Sequence, residues 1–324
     1  MANGSASDAT AAAYRAAREQ VALFDRSDRG VIVVTGKDRR PWLHNLVTNA
    51  VRTLADCQGV YAFAVNVQGR ILFDANVLSL PDALWLDVDL TAVPAALAHL
   101  ERYLITEDVT LTDASAALAR LGCAGPLAAA LAAEIGVVDL ARLPALSVVA
   151  LDAERTYAVR NDFAGEIGFE LFVPRSASAA WRDRLVEAGA VPAGRDVLDV
   201  LRIEAGIPWY GRELDAQVLP PETGPGARGI SYDKGCYLGQ EVLERMRSRD
   251  VLARRLVRLR TGSDVELSLP ADLLCEGRRV GRLTSLVRHP LESWCVGLGY
   301  ISTSLTPSAA LATGNPPRDV VILP

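Results

Sequence analysis

From Val251 onward the chain gives up helical periodicity. It breaks into short apolar runs divided by turns: Arg255–Leu259, Ala271–Leu274, Arg279–Ser285, Cys295–Tyr300 and Val320–Leu323. Runs of that length and spacing predict a small β-barrel standing as its own unit. A chain of 324 residues has room for two or three compact units, so the residues upstream must build something different.

Upstream, strands and helices alternate. Val31–Val34 reads as a strand ending at Thr35-Gly36, and Asp38 is placed to cap a helix carrying Trp42, Leu43, Leu46 and Val47 on one face. Tyr61, Phe63, Val65 and Val67 share one face of a second run, and Ile71, Phe73, Ala75 and Val77 share one face of a third. Gln68-Gly69 between them predicts a β-hairpin. Asp74 and Asn76 project opposite Phe73, toward a pocket or solvent. A strand over Leu84–Val88 and a helix from Thr91 to Tyr103 follow, and Ala114–Glu134 is Ala/Leu-rich and reads as mostly helical. A second α+β stretch holds Tyr157–Arg160, Ile167–Val173 and helices over Ser176–Glu187 and Asp196–Gly206. Prolines and glycines force Pro220–Gly226 into a loop. The expected division is a disordered tail over 1–14, an α+β core of two units over 15–250, and the barrel over 251–324.

Composition removes several function classes. The net charge of −5 argues against stable nucleic-acid binding. No apolar run approaches the ~20 residues of a membrane helix, and the first ten residues lack a signal-peptide pattern. No GxGxxG follows the first strand, no Walker A lysine motif is present, and Gly224-Pro225-Gly226 is too proline-rich to imitate either. The five cysteines form no CxxC pair, so no metal site or disulfide framework is signalled, and a reducing cytoplasm is the natural setting.

One run concentrates chemistry: Asp233-Lys234-Gly235-Cys236-Tyr237-Leu238-Gly239-Gln240-Glu241. Lys234 and the free amides of a helix start would both favour a thiolate at Cys236. Gly235 and Gly239 permit close approach to the main chain. Gln240 and Glu241 would cap the helix or orient the loop, and Arg245 stands at i,i+4 ion-pair spacing from Glu241. A buried cysteine in a tight turn is the plainer alternative. Cys57, Cys123, Cys275 and Cys295 read as structural.

Several separate stretches, taken in order, resemble the glycine-cleavage T-protein (aminomethyltransferase) superfamily: Val34–Asp38 with Leu46–Thr48, Gln68–Asp74, Gly165–Glu170, Leu201–Gly206 and Tyr210-Gly211. Within it, Lys-Gly-Cys-Tyr-x-Gly-Gln-Glu resembles the folate-binding YgfZ-type branch, implicated in iron–sulfur cluster assembly or repair. The resemblance implies an α+β three-domain ring around a central folate-binding funnel, closed by the C-terminal barrel and working as a cytoplasmic monomer. It implies tetrahydrofolate or a one-carbon derivative as ligand. Glu166 would read the donor edge of the pterin through paired hydrogen bonds. Arg202, Asn66 and Tyr210 would contribute to the same pocket, although Arg202 beside a Glu also fits a structural ion pair. Asp74 aligns with the acid that orients the folate and manages the proton, with Phe73-Asp74 standing where transferases show two adjacent acids.

Three functions compete. The expectation carried forward is a tetrahydrofolate-binding accessory to iron–sulfur assembly or client proteins. There Cys236, activated by Lys234, would exchange thiols or touch a cluster transiently, since one cysteine cannot hold a cluster alone. The alternative is a folate-dependent aminomethyl or one-carbon transferase resting on Asp74. The third is a folate-dependent tRNA-modification accessory.

Overall fold

A computed structural model describes residues 8–152, 155–249, 252–263, 267–306 and 308–324. Strand alternation decides its architecture. In the strand Ile71–Ser79, Phe73, Ala75 and Val77 are buried under the helices Arg39–His44 and Val93–Glu101, so Asp74 and Asn76 face the other way. In Leu84–Asp89, Leu84, Leu86 and Val88 join the same helix-covered layer, and Trp85 and Asp87 take the opposite face. Both belong to a five-stranded antiparallel sheet ordered Gly59–Val65, Ile71–Ser79, Leu84–Asp89, Arg29–Thr35, Thr110–Asp113.

A second sheet runs Val191–Ala193, Ala22–Asp25, Leu118–Ala124, Gly168–Pro174, Tyr157–Arg160, Val148–Ala150, and only its first pair is parallel. Leu121, Cys123, Phe169 and Leu171 pack beneath the helices Ala128–Glu134 and Ser178–Glu187. Arg120, Glu170 and Phe172 therefore look inward, toward the first sheet. Half of the interface between the sheets is apolar: Trp85 meets Tyr157 and Phe172 with ring centroids 5.2 and 5.8 Å apart. The other half is charged, and it is where the site lies.

The C-terminal unit is a closed barrel ordered Arg254–Gly262, Trp294–Ser302, Arg278–Arg288, Ala271–Cys275, Leu311–Thr313, Arg318–Ile322. Leu311–Thr313 is too short to show a period in the sequence. The barrel is stapled to the core through Glu213, which accepts from Thr284 Oγ1 at 3.0 Å and Ser285 Oγ at 2.5 Å.

Three segments differ from expectation, the first being Pro220–Gly226, which is not a loop but part of the 3-10 helix Pro220–Gly229, kinked at Gly224. Residues 8–14, expected in a disordered tail, belong to the helix Asp8–Glu19, whose Ala13, Tyr14, Ala16 and Ala17 form a buried stripe. Met1–Ser7 and the unit boundary expected at Asp250/Val251 lie outside the described residues. Within Ala114–Glu134, Leu118–Ala124 is a strand and only Ala128–Glu134 is helical. A partner strand on each side overrides the helix propensity of Ala and Leu. Among the described residues, no helix is long and apolar enough to cross a membrane.

Candidate active site

Where the inward faces part they leave a cleft. Asp74, Asn76 and Asp87 enter it from the first sheet, Arg120 and Glu170 from the second. Phe163, Tyr61 and Trp209 supply aromatic walls, and Arg228 stands exposed at the mouth.

The polar wall is a continuous ion-pair network across both sheets. Arg120 donates to Asp87 and, at 2.6 Å, to Glu170. Arg26 Nη1 reaches Glu170 at 2.8 Å and Arg29 Nε reaches Asp87 at 2.9 Å. Amides complete the set, Asn76 Nδ2 donating to Asp87 at 2.7 Å and Asn161 Nδ2 to Glu170 at 2.6 Å. Burial works to raise the Asp87 pKa, but Arg120 and Arg29 overcome it and hold the carboxyl at about 2. Such charges tolerate burial only because each is paired and hydrogen-bonded.

Asp74 is the exception among the acids of this wall. Tyr61 Oη donates to its Oδ2 at 3.1 Å, whereas Oδ1 is buried without any hydrogen-bond partner. Burial raises its pKa and Asp87 adds to the shift, against the opposing pull of Arg29 and Tyr61. An orphaned buried acceptor costs about 1–3 kcal/mol, a free energy that a bound donor would recover. The arrangement offers one carboxyl oxygen, in an enclosed aromatic cleft, able to hold or take a proton.

Several residues singled out in the sequence sit elsewhere. Glu166 follows Gly165, whose φ of +82° turns the chain outward, and it pairs with Arg18 at 2.5 Å. The carboxylate that this segment sends into the cleft is Glu170, which shares the inward parity of the strand Gly168–Pro174. Arg202 is fully buried behind the cleft wall, with its guanidinium 4.4 Å from the Trp209 ring. It donates to Asp199 at 2.8 Å, Glu213 at 2.9 Å and Ser285 at 2.9 Å, so it braces Trp209 and lines no part of the cleft. Asn66 Oδ1 accepts from the amides of Gln68 and Arg70, both at 3.0 Å, and thereby forms the hairpin turn. Tyr210 packs against two hydrophobic layers beside Trp209 and is not among the cleft-lining side chains.

The cysteine motif also lies outside the cleft lining. The Lys234 ammonium donates to the carbonyls of His44, Val47 (2.5 Å) and Asn49 (3.1 Å), at and beyond the end of the helix Arg39–His44. Its charge serves carbonyls that the helix end leaves unpaired, and burial, with Arg52 nearby, brings its pKa down to about 7. Cys236 is exposed. Gly239, at φ +80°, lies so close to the hairpin that an added Cβ would come 2.3 Å from the Asn66 carbonyl oxygen. Nothing lies near Gly235. Tyr237 is buried with Lys234 4.8 Å from its ring centroid, and its amide donates to Gln240 Oε1 at 3.3 Å. Glu241 and Arg245 form an exposed pair at 2.5 Å. Taken together, the run docks a loop onto the hairpin.

The network residues Arg26, Arg29, Asp87, Arg120 and Glu170 were not singled out in the sequence. A signal existed: Asp87 and Arg120 each sit between apolar neighbours in a strand, and a charge so placed needs a partner.

Known proteins share this architecture. The model for the GCVT N-terminal domain matches residues 3–228. This chain belongs to the GCVT family. An aminomethyltransferase of Rubrobacter xylanophilus is 31% identical over 293 residues, spanning 90% of this GCVT chain and 78% of its own length. One from Exiguobacterium sibiricum is 30% identical over 294 residues, spanning 90% and 81%. The solved glycine cleavage system aminomethyltransferase T from Bartonella henselae superposes with a TM-score of 0.86 at 20% identity, over 97% of this chain and 88% of that one. The α+β fold with its C-terminal barrel is thus the T-protein fold. The iron–sulfur accessory function expected from the cysteine motif is corrected here: the relatives matching nearly the whole chain are aminomethyltransferases.

Proposed function

We propose that this GCVT protein is a tetrahydrofolate-dependent aminomethyltransferase. The observation that carries the reading is the buried, unpartnered Oδ1 of Asp74 on the wall of the cleft. Its relatives' activity supports the same conclusion.

The residues present fit a reduced folate. The cleft is lined by charged and by aromatic side chains together. Its aromatic walls suit a flat heterocycle, and Glu170, though engaged by Arg26, Arg120 and Asn161, keeps lone-pair capacity for a donor edge. When bound, tetrahydrofolate would supply the nitrogen nucleophiles that accept the one-carbon unit. The chain's own contribution is to exclude water, to orient the ring through Glu170 and Trp209, and to hold or release a proton at Asp74 Oδ1. Tyr61 fixes the other Asp74 oxygen, so Oδ1 is the atom that works. We infer that the Lys234–Glu241 motif, the sequence mark of the YgfZ-type branch, serves as a loop anchor in this chain. The free thiols of Cys57, Cys123, Cys236 and Cys275 accord with a reducing cytoplasm.

The test has two arms. Tetrahydrofolate binding, followed by fluorescence of the cleft tryptophan, should weaken at least about tenfold in Glu170→Gln and stay unchanged in Glu166→Gln. Ammonia release from an aminomethyl-thiol donor, in the presence of tetrahydrofolate, should be measurable for the wild type. A wild-type protein that neither binds folate nor releases ammonia would remove the proposal.

A further inference from the structure

A second recess has no task in the proposed reaction, yet it shares Arg29 and Arg120 with the cleft. Its floor is Arg120, and its mouth carries Arg175 and Ser178. Arg120 is 3% exposed, and with Nη1 on Asp87 and Nη2 on Glu170 its Nε–H is left buried without a partner. Arg175 donates Nε to the carbonyl of Ala116 at 2.8 Å and Nη2 to those of Leu118 and Ser115 at 3.1 and 3.4 Å. No carboxylate among the described residues pairs with it. Ser115 Oγ accepts from the Val31 amide at 3.1 Å, which leaves its own proton free to donate. Ser178 follows a 3-10 turn over Arg175–Ala177 and its amide donates to the Arg175 carbonyl, so it offers the recess its hydroxyl. The one acid in the lining, Asp25, is occupied by the Ser27 amide at 2.9 Å and by Arg182 at 3.4 Å.

Donors therefore converge on one recess, in which Arg175 is the lining cation without a carboxylate partner among the described residues. We propose that this recess binds a small oxyanion, a phosphate or carboxylate, between Arg175 at the mouth and Arg120 on the floor. The anion accepts from Arg120 Nε–H, Ser115 Oγ–H and the Ser178 hydroxyl, and Arg175 balances its charge. The site is separate from the folate cleft and stands whether or not the aminomethyltransferase reading does.

Calorimetric titration of the intact protein at fixed ionic strength, once with inorganic phosphate and once with formate, tests it and separates the two chemistries. One saturable site is expected for at least one anion. Arg175→Gln should weaken that site at least about tenfold, the loss of one charged hydrogen-bond partner, and Arg175→Lys should restore most of it. Arg228→Gln, at the mouth of the cleft, should leave it unchanged. If Arg175→Gln does not fold, Ser178→Ala, whose hydroxyl has no bond to lose, should weaken binding about threefold. Absence of saturable binding for both anions, or equal losses in Arg175→Gln and Arg228→Gln, overturns the proposal.

Discussion

The cleft wall and the cysteine loop use charge in opposite ways. In the wall, Asp87 and Glu170 are matched by Arg26, Arg29, Arg120 and two amides, yet Asp74 beside them keeps an unbonded oxygen. In the loop, all the donor capacity of Lys234 goes to three backbone carbonyls, and Cys236 is left in the open. The loop holds the densest motif in the chain, whereas the wall is assembled from single residues scattered over six strands and loops. A dense motif reports how tightly local geometry is constrained. Both regions hold an unmet bonding capacity, at Asp74 Oδ1 in the wall and at Tyr237 Oη in the loop, but only Asp74 lines the cleft.

Asp74→Asn gives the largest expected break between the two regions. It keeps an acceptor for Tyr61 but cannot exchange a proton, so aminomethyl transfer should fall by about 10²–10⁴-fold. The same change should raise Tm near neutral pH. Because burial raises the folded-state pKa, the ionised Asp74 destabilises the fold at pH above its ordinary value of 3.8. The stability it withholds returns as pH falls and the group takes up its proton, so the Tm gain of Asp74→Asn should shrink steadily toward pH 4. A variant equally active, or stabilised alike at every pH, would remove the distinction drawn for the wall.

Arg202→Met should come next, acting on stability. It leaves the fully buried Glu213 without its cationic partner behind Trp209, while Asp199 keeps Arg212, and breaking a buried pair from one side costs about 3–5 kcal/mol. Urea unfolding measures it, and a loss under 1 kcal/mol would show that Arg202 does not brace the cleft. Lys234→Met should cost about 1–3 kcal/mol by leaving carbonyls unpaired at the end of a helix. Hydrogen exchange should then rise over residues 44–49 and 234–240, while the kcat of transfer stays close to wild type.

Much of the architecture was legible before the structure. The hairpin alternation placed Asp74 and Asn76 on one face, and short apolar runs announced five of the six barrel strands. The cleft was less so. Glu166 and Glu170 are four residues apart in one segment, and choosing between them requires knowing that the strand starts at Gly168. The Arg120 partners come from 33 and 50 residues away, a pairing that no local pattern encodes. Leu118–Ala124 was hidden for a related reason, since its composition favours helix and its strand state depends on neighbours far along the chain.

The smallest expected effect carries the sharpest contrast. Cys236→Ser changes an exposed side chain outside the cleft lining, so its effect on stability should fall within about 0.5 kcal/mol. Transfer activity should stay within about twofold, because no interaction with the reacting groups is lost. Gly239→Ala, only three residues on, should be far more damaging, because its Cβ would run into the Asn66 carbonyl at a left-handed backbone position. If Cys236→Ser instead lowered transfer as far as Asp74→Asn, the loop would have to reach the cleft during turnover, and the thiol would belong to the chemistry after all. An inert Cys236 beside an indispensable Gly239 would leave the motif a device for seating a loop.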